Sequence, residues 1–242
     1  MIAARITKPE KKAKRKQTAQ SGAVLFDGAE SIPFGIADLD SFCQWAESDS
    51  FPRRGRFSFI RGQVWMDLEM EQVFFHSLLR LRFGTTIDQI ILAEKLGYFF
   101  TDRVLLRNDR ADLSTEPDGL FFSIQSLKQG LVNIVKGAQR GYTRIDGTPD
   151  MALEIVSDGS VRKDTVELRE SYWLAGIPEY WLVDARTEAV SFDILKRGPR
   201  GYLQTRKTAD GWVKSKVFQR QFRVVSSVDE MGFPSYVVET KG

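Results

Sequence analysis

Two acidic residues and a lysine are the side chains of this sequence best suited to catalysis. Asp118 stands at the start of a predicted strand, Glu154 lies within a later one, and Lys163 precedes the next predicted helix. Glu71 opens an earlier helix. Carboxylate oxygens hold Mg²⁺ while leaving coordination sites for water and phosphate, and the bound ion activates the water. A nearby ammonium offsets charge that develops in the transition state. If these groups converge, they suit hydrolysis of phosphodiesters.

Glu154 is the strongest of these candidates because its neighbours are apolar. It lies in TPDMALEIVS, a segment typical of a strand that is covered on both faces. A buried carboxylate needs a partner, and a metal ion is one of the few partners that satisfies several carboxylates together. Under the alternation of a strand, Asp150 shares a side of the sheet with Glu154.

The other candidates also have purely structural interpretations. Glu116-Pro117-Asp118-Gly119 is a good β-turn sequence, in which Asp118 would bond only its own backbone, and local sequence favours that turn. Lys163 has the alternative of a surface lysine, and Glu71 that of a first-turn acid favoured by the helix dipole. His76, on the same predicted helix, has the alternative of a packed neutral side chain.

Single cysteine and histidine residues exclude several kinds of site. Cys43 cannot form an intrachain disulfide, and one histidine cannot provide a two-histidine metal motif. Cys43 lies in IADLDSFCQWAES, whose apolar residues follow helical spacing, so we interpret it as a core residue.

Positive charge is concentrated at the N-terminus. Residues 1–20 hold seven Lys or Arg against one acid, whereas the remainder holds 28 basic and 31 acidic residues. We predict a basic disordered tail over 1–22 and a single domain over 23–242. The tail is a solvated arm, which we favour, or a non-specific nucleic-acid contact. No apolar run is long enough for a membrane span or a secretory signal, which predicts a soluble cytoplasmic protein.

The predicted elements indicate an α/β fold. A helix near 36–47 is followed by two strands that turn around Arg61-Gly62, and by a long helix from about 70 to 96, with Gly84 a candidate break and Gly97 its stop. Short strands lead to TPDMALEIVS. A helix with Asp164 and Glu167 as its capping box and the strand EYWLVDA then complete a parallel crossover unit. The C-terminal part predicts antiparallel hairpins.

The segment TPDMALEIVSDGSVRKDTVELRESYWLAGIPEYWLVDAR resembles the Uma-two family of restriction endonucleases, a branch of the PD-(D/E)XK nuclease superfamily. WMDLEMEQVFFH and STEPDGLFFS resemble upstream pieces of the same family, and the likeness covers roughly residues 35 to 235. It implies a restriction-endonuclease-like mixed β-sheet flanked by helices, and an endonuclease that hydrolyses DNA with Mg²⁺ or Mn²⁺. Many nucleases of this kind act as homodimers.

The resemblance also implies roles for particular residues. Asp118 and Glu154 match the superfamily's active-site acids and metal ligands. Glu71 and Asp150 are expected as further metal or water ligands, and His76 matches a family position as an accessory residue.

The sequence departs from the family at the lysine. Val156 and Leu168 occupy the two positions where relatives often carry it, and Lys163 is the nearest replacement, provided that its loop folds inward. The alternative is a catalytically inactive nuclease fold that binds nucleic acid or acts as an interaction protein.

Overall fold

A computed structural model describes residues 23–26, 30–33, 35–137 and 141–242 of the chain. The predicted basic tail, residues 1–22, lies outside the described residues. The strands are β1 (Ala23–Phe26), β2 (Glu30–Pro33), β3 (Arg56–Ile60), β4 (Gln63–Asp67), β5 (Gly97–Thr101), β6 (Leu105–Asn108), β7 (Leu113–Thr115), β8 (Gly119–Ser123), β9 (Val132–Lys136), β10 (Tyr142–Gly147), β11 (Met151–Ile155), β12 (Glu179–Asp184), β13 (Ser191–Gly198), β14 (Gly201–Gln204), β15 (Val213–Lys214), β16 (Gln221–Val228) and β17 (Pro234–Lys241).

The helices are short apart from one. They are α1 (Leu39–Ala46), α2 (Leu79–Glu94), α3 (Ile124–Lys128) and α4 (Arg169–Ala175), with a 3₁₀ turn at Asp109–Ala111. Two π-helical turns, Val73–Leu78 and Lys163–Leu168, lead directly into α2 and α4. Within the described ranges, no helix is both long enough and apolar enough to cross a membrane.

Two six-stranded mixed sheets form the body of the fold. The central sheet has the order β14-β13-β12-β11-β8-β5, and the side sheet has the order β4-β3-β7-β6-β10-β9. Strands β15, β16 and β17 form a separate three-stranded sheet, and β1 pairs with β2. The α/β class and the mixed sheets flanked by helices are therefore confirmed, as are the antiparallel C-terminal hairpins.

Strand β11 lies in the middle of the central sheet and divides two apolar cores. Met151, Leu153 and Ile155 pack with α2 and the C-terminal sheet. Ala152 packs on the opposite side with α4 and the side sheet. Alternation along the strand thus sends Glu154 into the second core, which explains how an acid comes to lie inside an apolar strand.

The predicted strand, helix and strand unit is confirmed. Strand β11 runs parallel to β12 and antiparallel to β8. Leu153 pairs with Gly119, the residue that follows Asp118. Ile155 N–H, one residue past Glu154, donates to Asp118 Oδ2 at 2.8 Å. Two acids that are distant in sequence are therefore brought next to each other where β8 and β11 pair.

The helix before β12 begins earlier than predicted. Ser157 N–H donates to Ser160 Oγ at 2.9 Å, and Ser160 N–H donates to Ser157 Oγ at 3.2 Å. This reciprocal pair caps the first turn, so the predicted capping box of Asp164 and Glu167 is wrong. Asp164 instead lies inside the π-helical turn, where its side chain is buried.

Two glycine predictions for the long helix are also wrong. Gly84 lies within α2 without interrupting it, and α2 ends at Glu94, where Lys95 takes a left-handed conformation with φ of 53°. Gly97 is the first residue of β5. A Cβ at Gly97 would lie 2.1 Å from the carbonyl oxygen of Phe122, so close strand pairing requires this glycine.

The helix predicted near 36–47 is confirmed as α1. Ser41 N–H donates to Asp38 Oδ1 at 2.8 Å, which fixes the start of the helix. Cys43 is buried in the cluster that α1 forms with β3, as expected of a core residue.

Candidate active site

A cavity of about 190 Å³ collects most of the residues that the sequence singled out. Four of its lining residues were predicted as site residues: Glu71, His76, Asp118 and Lys163. Each π-helical turn contributes to it, the first through His76 and the second through Lys163 and Asp164. Such turns interrupt regular helix geometry and occur often at functional sites.

Asp118 is held by residues distant in sequence. Its Oδ2 accepts a 2.8 Å hydrogen bond from Ile155 N–H, and its Oδ1 accepts one of 2.5 Å from Arg56 Nη1. His76 Nε2 lies 3.2 Å from Oδ2. The interpretation of Asp118 as a turn residue bonded only to its own backbone is therefore wrong. Burial alone would raise the pKa of Asp118, but His76 and Arg56 outweigh it and hold the carboxylate ionised.

Glu154 is 1% exposed and does not line the cavity. The Tyr172 hydroxyl donates a 2.6 Å hydrogen bond to its Oε1. Burial raises the pKa of Glu154 well above its ordinary value, and the negative charges of Asp164 and Asp118 raise it further. Lys163 and Tyr172 offset only part of this effect. Burial of the carboxyl is therefore the main reason that the ionised form of Glu154 is disfavoured.

Lys163 is turned inward, with its side chain 11% exposed. Its Nζ lies 3.4 Å from Asp164 Oδ1. Burial would lower the pKa of Lys163, but the carboxylates of Asp164, Glu154 and Asp118 raise it above its ordinary value, so the ammonium persists. The interpretation of Lys163 as a surface lysine is wrong, and the condition that its loop folds inward is met.

Glu71 and His76 form the outer part of the site. His76 Nδ1 lies 2.9 Å from Glu71 Oε1, which also receives a 2.6 Å contact from Arg80 Nη2. Because His76 meets a carboxylate at each ring nitrogen, its hydrogen bonds with Asp118 and Glu71 overcome the effect of burial and raise its pKa. The interpretation of His76 as a packed neutral side chain is therefore not favoured by its two carboxylate partners.

Asp150 is not brought into the site. It accepts hydrogen bonds from Ser123 N–H at 2.6 Å and from Ser126 Oγ at 2.8 Å, and so holds the start of α3. It precedes β11, whereas Glu154 lies near the end of that strand, roughly 13 Å away at about 3.3 Å per residue. The expectation that Asp150 would bind the same ion as Glu154 finds no support in this placement.

Three residues of the site were not predicted from the sequence. Asp164 was interpreted as a helix cap, and its Oδ2 instead accepts from Ser160 Oγ beside Lys163. Tyr172 lies on the helix that follows, and its local sequence is that of an ordinary buried helix residue. Arg56 is 62 positions from Asp118, and no local pattern marks it as a partner.

The carboxylates suit a divalent cation in their chemistry. Asp118, Glu154 and Asp164 offer the hard oxygen donors that Mg²⁺ and Mn²⁺ prefer, and a cation would relieve the charge that raises the pKa of Glu154. Among the described residues, however, no three His, Cys, Asp or Glu side chains are arranged to hold one ion. Arg56 and His76 both bond the carboxylate of Asp118. A metal ion shared by Asp118 and Glu154 therefore requires Arg56 to release the Asp118 carboxylate.

Comparison with known proteins gives both a family and a fold. The model of the family Uma2, described as "Putative restriction endonuclease", matches residues 39–225. The fold resembles the crystal structure of "a putative nuclease belonging to DUF820" from Anabaena variabilis, with a TM-score of 0.54 and 18% identity over 75% of this chain and 90% of that one. At this identity the likeness shows a shared fold. No curated protein matches the chain.

Proposed function

Because the chain belongs to the Uma2 family of restriction-endonuclease-like proteins, we propose that it is a divalent-metal-dependent nuclease that hydrolyses phosphodiester bonds in DNA. The observation that carries the proposal is the approach of Asp118, Glu154 and Lys163. Asp118 lies beside the end of β11, where Ile155 N–H donates to its Oδ2, and the charges of Asp118 and Lys163 both act on Glu154. The family description supports DNA as the substrate of this proposal, and the carboxylate donors support Mg²⁺ or Mn²⁺ as its cofactor.

Asp118 and Glu154 would hold the ion, and Glu71 would reach it through water. When bound, the ion supplies an activated water and polarises the phosphate. The ionised form of Asp118 is already favoured, because His76 and Arg56 lower its pKa, whereas a bound cation would offset the burial that raises the pKa of Glu154. Tyr172 orients Glu154 by donating to Oε1 and leaves Oε2 available.

Lys163 would stabilise the negative charge that develops on the phosphate in the transition state. Its ammonium is kept charged by three carboxylates and is held 3.4 Å from Asp164, so its position is set before substrate arrives. A preorganised cation in a water-poor site stabilises the transition state without reorganisation. This assigns to Lys163 the role that relatives give to lysines at the positions of Val156 and Leu168.

Cleavage of supercoiled plasmid tests the proposal. Purified protein should nick the plasmid in Mg²⁺ or Mn²⁺ and stop when EDTA is added. Asp118→Asn and Glu154→Gln should each abolish nicking. Asp184→Asn is the matched control, because Asp184 ends the neighbouring strand β12 and pairs with Arg186 outside the cavity. Equal nicking by all three variants would trace the activity to a contaminant and remove the support for this site.

The Arg56 and Asp118 ion pair favours one alternative, a nucleic-acid-binding protein of the same fold without cleavage. In that case Arg56 never leaves the carboxylate and no ion binds. Salt-dependent DNA binding, with no cleavage of plasmid, single-stranded DNA or RNA, would support this alternative. Homodimerisation stays a prediction in either case.

A further inference from the structure

A second cavity, of about 530 Å³, adjoins the active-site cavity. Arg103 lines both of them, so the two spaces share a wall. Three aromatic residues, Phe51, Phe100 and Tyr142, line the second cavity, together with Glu116. Pockets for small ligands are commonly lined by apolar and aromatic side chains with a few polar groups, and this volume is ordinary for them.

Glu116 is a charged residue of this cavity that lacks a close partner. It stands two residues before Asp118, and in the described part of the chain it makes no hydrogen bond. A carboxylate without a close partner is available to accept hydrogen bonds from N–H groups of a ligand.

The shared wall is a strained loop between β5 and β6. Asp102 and Arg103 are consecutive and both left-handed, with φ of 57° and 55°, although neither is glycine. Such residues persist when the surrounding structure fixes them, often beside a ligand site. The carboxylate of Asp102 lies 3.4 Å from Arg56 and 3.5 Å from Arg80, which ties this loop to the active-site cavity.

We propose that the second cavity is a nucleobase-binding pocket, which takes one base of the substrate strand beside the phosphate that Asp118 and Glu154 act on. The inference rests on the proposed function and describes how the active site would bind its nucleic-acid substrate. Aromatic faces stack any base, and a carboxylate accepts from the amino group of cytosine or from other base N–H groups. Arg103, at the boundary, has the charge to contact the backbone between base and scissile phosphate.

The pocket predicts which nucleic acid is preferred. A base inside duplex DNA has to leave its stack to enter a side pocket, which costs a few kcal/mol, whereas a single-stranded or mismatched base costs less. Single-stranded DNA, or duplex with a mismatch near the scissile bond, should therefore bind more tightly than perfect duplex.

Tyr142 provides a test that leaves the core intact, because it is 64% exposed. Binding of a fluorescein-labelled single-stranded oligonucleotide is measured by anisotropy in EDTA, where no cleavage occurs. Tyr142→Ala should weaken binding about 5- to 150-fold, the range for losing one aromatic stack. Tyr98→Ala is the matched control, since Tyr98 is also an exposed aromatic residue, at 47%, and lines neither cavity.

Two further measurements identify the base as the group bound. A 2-aminopurine in the oligonucleotide should change its fluorescence on binding to the wild type and not on binding to Tyr142→Ala. Glu116→Gln should alter the relative affinity for cytosine-rich and thymine-rich strands. Equal affinities of wild type, Tyr142→Ala and Tyr98→Ala, with metal-dependent cleavage intact, would overturn the pocket alone. Failure of the wild type to bind any strand even at low salt would overturn the nuclease proposal with it.

Discussion

The hydroxyl of Tyr172 donates a 2.6 Å hydrogen bond to Oε1 of Glu154, and both side chains are buried. Tyr172 lies on α4, the helix that returns the chain from β11 to β12. The crossover unit that carries the acid therefore also carries the group that orients it. A buried carboxylate with one oxygen fixed in this way has the other free to bind a cation.

Tyr172→Phe removes this bond and should reduce metal-dependent nicking about 10- to 100-fold, as expected for a residue that orients a metal ligand. It should also destabilise the protein by about 1–2 kcal/mol in urea unfolding. Tyr202→Phe is the matched control, because Tyr202 donates a buried 2.8 Å bond to the carbonyl of Ile177. A similar loss of stability with unchanged nicking is expected there. If Tyr172→Phe nicks at the wild-type rate, Tyr172 does not orient Glu154 for catalysis.

Glu154→Gln should stabilise the metal-free protein at neutral pH. Folding raises the pKa of Glu154. Below the ordinary value of 4.5, Glu154 is protonated in the folded and in the unfolded state, so its ionisation does not change the free energy of unfolding. Above that pH the unfolded state ionises first, so stability falls as pH rises toward the folded-state pKa. The variant should gain about 1–3 kcal/mol at pH 7 to 8 in EDTA, and the gain should shrink toward pH 4.5.

Thermal melts over pH 4 to 8 check this. Asp184→Asn should move the other way, since Arg186 lowers the pKa of Asp184 and the variant loses that interaction at neutral pH. Added Mg²⁺ should stabilise the wild type and leave Glu154→Gln unchanged. A Glu154→Gln variant that melts below the wild type at pH 7 in EDTA would contradict the raised pKa of Glu154.

The central part of the site could be predicted because local sequence constrains it strongly. An acid inside an apolar strand needs a partner, and the strand, helix and strand order of 151–184 leaves few topologies. Alternation gave the side of the sheet on which Glu154 lies. It could not tell which end of the strand faces the site, and for that reason Asp150 was misplaced.

The remaining members depend on contacts that no short segment contains. Arg56 reaches Asp118 from β3, a strand of the side sheet, so the pair exists only once two sheets have packed. Asp164 followed a helix-capping pattern that competes with an earlier Ser157 and Ser160 pair, and the serines take the cap. Local rules describe both options equally well, and tertiary packing decides between them.

Arg56→Gln should tighten metal binding while it reduces cleavage. Arg56 Nη1 occupies Asp118 Oδ1 at 2.5 Å, so its charge competes with a cation for the same oxygen. Mn²⁺ affinity, measured by electron paramagnetic resonance of the free ion, should rise about tenfold, equivalent to about 1.4 kcal/mol. Nicking should fall. In the wild type, a metal ion that binds Asp118 would release the Arg56 guanidinium, which could then pair with the phosphate, and the variant lacks this group.

Arg80→Gln is the comparison for Arg56. Arg80 lies 3.9 Å from the same Asp118 oxygen and only 2.6 Å from Glu71, so its loss should change Mn²⁺ affinity much less. Equal affinities for Arg56→Gln and the wild type would mean that the ion does not use Asp118 Oδ1. No Mn²⁺ binding by any of these proteins would instead favour the non-cleaving alternative.

Lys163→Met separates the lysine from the metal ligands. Removing a positive charge beside Asp164 and Glu154 should leave Mn²⁺ binding equal or tighter, because the carboxylates then have one cation fewer. Nicking should nevertheless fall about 10²- to 10³-fold, the effect of losing one preorganised group that stabilises transition-state charge. Lys214→Met, at an exposed lysine of β15, should change neither property. Wild-type nicking by Lys163→Met would mean that this protein cleaves without a lysine at this site, since Val156 and Leu168 occupy the other two positions considered for one.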